Sequence, residues 1–123
     1  MSHNMKTRHE VLADSVIRWF LERENMFSIK IHRHIIKEDQ IDFKYMSDCW
    51  GIAEKVNSQE YMIVVSEEQE DRDFCATLLH ELIHVRQWVR GSWEGDGETE
   101  AEQEQYELAD LYEQEYINYR EGQ

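Results

Sequence analysis

A chain of 123 residues with 41% apolar residues has the length for one compact domain and falls short of two ordinary ones. Its formal charge of −14, from 27 acidic against 13 basic residues, repels phosphate, and no basic patch offsets it, so nucleic-acid binding is excluded. No run approaches the roughly 20 apolar residues of a membrane-spanning helix, and the start lacks the apolar stretch of a signal peptide. The expectation is therefore a cytoplasmic protein without membrane contact. The two cysteines, Cys49 and Cys75, sit outside any CxxC pair and read as reduced thiols.

The first seven residues are expected to be disordered. Residues 8 to 24 then place Leu12, Val16, Trp19, Phe20 and Arg23 at three- and four-residue steps, the pattern of an amphipathic helix. In "FSIKIHRHII" the residues Ile29, Ile31, Arg33 and Ile35 alternate with Lys30, His32 and His34, which predicts a half-buried strand. Two further strands are predicted within "IDFKYMSDCWGIAEK" and "EYMIVVS", separated by the turn "VNSQ". A small, mostly antiparallel sheet of three strands follows from this order. Residues 74 to 90 form the next helix, capped by Asp71 or Asp73 and ended at Gly91. After the glycine-rich turn "GSWEGDG", helical spacing resumes near Glu98 and runs to the end. The fold class is α+β, in a single domain.

The chemistry is concentrated in "TLLHELIHVRQW". His80 and His84 are four residues apart, so on a helix they project from one face about 6 Å apart along the axis. Imidazole nitrogens so placed can share a metal ion, and Glu81 is positioned to act on water beside it, the HExxH arrangement. The five-residue pattern alone arises by chance in roughly four chains per hundred of this composition. A helix whose histidines hydrogen-bond inside the core is the plainer alternative. The uncharged flanks weigh against it, because unpaired polar groups on an apolar face are costly and a metal would satisfy them. The carboxylate-rich return "EGDGETEAE" offers a third ligand. Glu98 continues the inward stripe of Ala101, Gln105, Leu108 and Tyr112, whereas Glu100 turns to the opposite side. Glu98 is preferred, with Glu102, Glu94 and Asp96 as alternatives.

"TLLHELIHVRQW" followed by "ETEAE" resembles the zincin metallopeptidases of the gluzincin type, in particular the short, free-standing minigluzincins of microbes and their viruses. The likeness spans about residues 59 to 112. It implies a zinc-dependent peptidase with His80, His84 and Glu98 as ligands and Glu81 as general base. It also implies that Glu102 is the acid holding the outer nitrogen of a ligating histidine. Two departures stand out: the span from His84 to Glu98 is short for the family, and Arg86 occupies a position usually apolar. Arg86 fits if it pairs with an acid of the last helix or reaches solvent. The metzincin extension is absent, with Gln87 and Arg90 where glycine and histidine would stand.

Water on such a zinc ion is acidified to near neutral pH, and Glu81 would take its proton as it attacks a peptide carbonyl. A donor to the oxyanion is also expected, for which Tyr106 and Tyr112 are candidates. The substrate is expected to be a protein or peptide lying along residues 61–66, taken as an edge strand. The alternative function is a zinc-stabilised interaction module with the same fold and little or no peptidase activity.

Overall fold

The computed structural model describes residues 5–37, 50–91, 95 and 97–121, with side chains to residue 116 in the last helix. Within these residues the chain forms α1 (Arg8–Arg23), β1 (Lys30–Ile36), β2 (Gly51–Lys55), β3 (Glu60–Ser66), α2 (Asp71–Arg90) and α3 (Glu98–Glu121). This is the α+β order expected. Of the strand predicted within residues 41–55, residues 51–55 form β2 and residues 41–49 lie outside the described residues.

Local chemistry sets the helix ends. Thr7, in the segment expected to be disordered, caps α1: its hydroxyl accepts the Glu10 amide at 3.2 Å, and the Glu10 carboxylate accepts the Thr7 amide at 3.0 Å. That reciprocal pair satisfies two amides the first turn leaves unbonded. α2 begins at Asp71 on an N-cap, Glu70, whose side chain makes no capping bond, so neither Asp71 nor Asp73 is the cap. Both instead place negative charge in the first turn, where the helix dipole favours it. Gly91, in the left-handed conformation, ends α2 as expected.

The sheet departs from the expectation in one respect. Its order is β1-β3-β2, with β2 antiparallel to β3 and β1 parallel to it, from Lys30 opposite Glu60 to Ile36 opposite Ser66. The sheet is mixed, and β3 is its centre. Residues 61–66, taken as a peptide-binding edge, are thus paired on both sides and have no free backbone row to offer. The period-2 pattern that marks a strand says which face is buried and nothing about which strands are neighbours.

Tyr61, Ile63 and Val65 of β3 turn their side chains into the core and are all but fully buried. Against them pack Val16 and Phe20 of α1 and Phe74, Leu78, Leu79, Leu82 and Ile83 of α2, each fully buried. Burial of each such side chain contributes about 1.5–3 kcal/mol relative to exposure. α1 is tied to the sheet by Arg33, which donates to Asp14 at 2.8 Å and to Glu10 at 3.2 Å. α3 lies antiparallel along α2 and inserts Ala101, Leu108, Ala109 and Tyr112. Arg86, buried in this seam, pairs with Glu104 of α3 at 2.9 Å and with Glu24, just past α1, at 3.3 Å. It pairs with the last helix as required, and so joins all three helices around the base of α2.

Candidate metal centre

His80 and His84 leave the same side of α2, one turn apart, with their rings edge to face at 4.9 Å. The first residue of α3, Glu98, reaches back between them: its carboxylate oxygens lie 3.1 Å from His80 Nε2 and 2.6 Å from His84 Nε2. One ligand atom from each of the three falls within 4.8 Å of the others. The histidine side chains are 15% and 11% exposed and the Glu98 side chain 46%, so the group is walled on the protein side and open on the other.

Hydrogen bonds at Nδ1 orient both rings. His80 Nδ1 donates to Gln105 Oε1 at 2.6 Å, and His84 Nδ1 donates to Gln87 Oε1 at 2.9 Å, because an amide oxygen can only accept. Gln87 is 2% exposed, and its amide cannot be turned round: its Nε2 donates to Gly97 O at 3.0 Å and to Glu100 Oε1 at 2.7 Å. Each imidazole therefore turns its Nε2 toward the Glu98 carboxylate, at 3.1 Å from His80 and 2.6 Å from His84. A proton on Nε2 can bridge each ring to Glu98, and a metal ion can take the place of those protons. The donor set of two imidazoles and one carboxylate suits a divalent metal with an open position, and His80, His84 and Glu98 could hold such an ion.

Glu81, next to His80 on α2, is buried, and no hydrogen bond joins its carboxylate to the described residues. Burial pushes its carboxyl above the usual range; the His80 and His84 rings oppose that shift, and the nearby Glu98 charge adds to it. Its side chain rests on β2 at Gly51, where a Cβ would lie 3.2 Å from both Glu81 Cγ and Oε2 and 2.9 Å from Thr77 Cγ2. Only glycine lets the strand come this close. β2 exchanges bonds with β3 through its even-numbered positions, as the Ser66–Trp50 and Val56–Glu60 bonds of 2.9 Å show. The N–H and C=O groups of Gly51, Ala53 and Lys55 therefore turn away from β3, on the strand that borders Glu81.

The tight turn before Glu98 depends on Gly97, which has φ +80° and is buried against the Gln87 amide. The Gly97 carbonyl accepts from Gln87, and the next residue is the carboxylate of the cluster. This turn answers how so short a span returns the chain to the histidines.

Other expected site residues lie elsewhere. Glu102 is exposed, and Gln105, one turn further on, takes the role foreseen for it at His80 Nδ1. Both positions lie near the Glu98 face of α3, four and seven residues on, and it is Gln105 that stands over His80. Glu100, expected on the far side, accepts from Gln87 and lies 3.6 Å from Arg86, because α2 and α3 pack closely enough for a flanking residue to reach across. The Tyr106 hydroxyl donates to Asp73 at 2.7 Å beneath the Arg72 guanidinium, and the Tyr112 hydroxyl bonds to Ser15 of α1 at 2.7 Å. Neither meets the His80, His84 and Glu98 group. Glu94 and Asp96 lie outside the described residues.

Gln87 and Gln105 are the two participants that the motif does not reveal, although Gln105 falls on the inward stripe of α3 and Gln87 lies seven residues past His80. Among the described residues no helix is long and apolar enough to cross a membrane. Comparison with family models, curated proteins and solved structures found no match to the chain.

Proposed function

We propose that this chain is a zinc-dependent metallopeptidase of the gluzincin type, with His80, His84 and Glu98 as zinc ligands and Glu81 as general base. The observation that carries the reading is the convergence of the two HExxH histidines and Glu98, 18 residues beyond His80, with Glu81 buried beside them and not hydrogen-bonded to any of the described residues. Zinc, when bound, supplies the Lewis acidity that makes water a nucleophile near neutral pH. Glu81 takes the proton from the attacking water and hands it to the leaving amine, a role favoured by a carboxyl that burial raises above its usual range. The outward backbone groups of Gly51, Ala53 and Lys55 give an extended substrate a row to pair with beside Glu81.

Zinc stoichiometry and peptide turnover test the reading together. The chain should bind one zinc, and Glu81→Gln should keep it while losing cleavage by about 10²-fold or more. Cleavage retained in Glu81→Gln would remove Glu81 from the mechanism. A second reading, a zinc-stabilised interaction module, is favoured by the engagement of Tyr106 and Tyr112 far from the ligands. Stoichiometric zinc with no turnover on a broad peptide library would select it.

A further inference from the structure

We propose that Gln87 and Gln105 are the positioning residues of the metal centre, an amide clamp that sets both histidines and, through Gln87, the third ligand as well. This rests on the metal reading above. Each histidine is held at Nδ1 by one amide oxygen, at 2.9 Å for Gln87 and 2.6 Å for Gln105. The clamp thus decides which nitrogen faces Glu98 and where it points. Gln87 does more. Its Nε2 grips the carbonyl of Gly97, the residue before Glu98, and the Glu100 carboxylate in the same turn. One side chain thereby fixes a ligand on α2 and the backbone from which a ligand on α3 springs.

The clamp is also neutral. A carboxylate at Nδ1 draws the proton toward itself and makes Nε2 a stronger donor; an amide orients the ring without adding charge. Glu98 is then the ligand set's one anionic member, and Glu81 stands unligated beside it. A centre so built holds its ion less tightly than its geometry allows. Replacing the amide at position 105 with a carboxylate should recover that affinity.

The test is a chelator-competition titration of the full chain with zinc alone, alongside the visible spectrum of the cobalt(II)-loaded chain. Gln105→Leu and Gln87→Leu should each weaken zinc binding about 10- to 100-fold, and Gln105→Glu should strengthen it by about tenfold. Gln105→Glu should also move the cobalt band, which a merely structural role would not do. Gln103→Leu, at an exposed position of the same helix, should change neither. If Gln87→Leu does not fold, the half-buried position 105 carries the test. Zinc affinities of Gln105→Leu and Gln105→Glu within about twofold of the unaltered chain, with an unmoved cobalt band, would overturn the proposal. Should the unaltered chain take up no zinc, the metal reading itself falls, and the clamp with it.

Discussion

Gly97→Ala perturbs the site without touching any ligand. A Cβ there would stand 2.2 Å from Gln87 Oε1 and 2.8 Å from its Cδ, so the amide must leave its place. Its bonds to His84, Gly97 and Glu100 go with it. Holding a non-glycine residue at φ +80° costs about 1–2 kcal/mol, and leaving buried amide and imidazole groups unpaired adds about 1–3 kcal/mol. The sum, about 2–5 kcal/mol, is a large part of the 5–15 kcal/mol typical of a domain. Gly95→Ala is the matched control: φ is +59°, and nothing lies within 4 Å of the added methyl, so only the backbone cost applies. Urea denaturation of the metal-free chains should place Gly97→Ala about 1–3 kcal/mol below Gly95→Ala. Zinc titration should show weaker binding in Gly97→Ala alone. Equal stability and equal zinc affinity in the two variants would refute the idea that Gly97 exists to make room for Gln87.

Three other outcomes follow from the packing. Gly51→Ala drives a methyl into Thr77, whose hydroxyl is tied to Gln69 at 2.7 Å, and against Glu81, so stability should fall by about 1–3 kcal/mol in a denaturant titration. Peptide turnover should fall further than zinc affinity, because the crowding reaches Glu81 before the ligands. The Arg33 guanidinium, donating to Asp14, holds the Asp14 carboxyl below its ordinary range. Since that folded value is depressed, the stabilisation is full above the unfolded value of about 3.9 and is lost as pH falls through the folded one. Asp14→Asn should accordingly cost about 1 kcal/mol at neutral pH and progressively less on acidification, as urea midpoints across the range would show. Burial pushes the Cys75 thiol up to about 12, so iodoacetamide at neutral pH should label it only on unfolding; rapid labelling of the folded chain would contradict its burial.

Periodicity carried the elements and the His80, His84 and Glu98 cluster. The 3.6-residue pattern placed His80 and His84 on one face of α2, and the inward stripe of α3 selected Glu98 over Glu100. Those are properties of one helix at a time. The parallel pairing of β1 with β3 is a relation between segments far apart in sequence. Nothing in the alternation of Ile31, Arg33 and Ile35 names the strand beside them. The peptide-binding edge was misassigned to β3 for that reason, since proximity to α2 in sequence was the available guide.

The same distinction explains the two glutamines. An uncharged polar residue within a helix reads as surface unless its partner is known, and the partners of Gln87 and Gln105 are set by the seam between α2 and α3. The family resemblance implies an acid at the outer nitrogen of a ligating histidine and gives that place to Glu102. Glu102 is exposed and Gln105 stands over the His80 ring, so the seam supplies an amide where an acid was expected. As a metal site, the His80, His84 and Glu98 group alone would describe a centre of ordinary donor strength. With its outer partners included, it is one whose histidines are oriented but not charged from behind, and zinc affinity rather than ligand identity is where that difference will be measured.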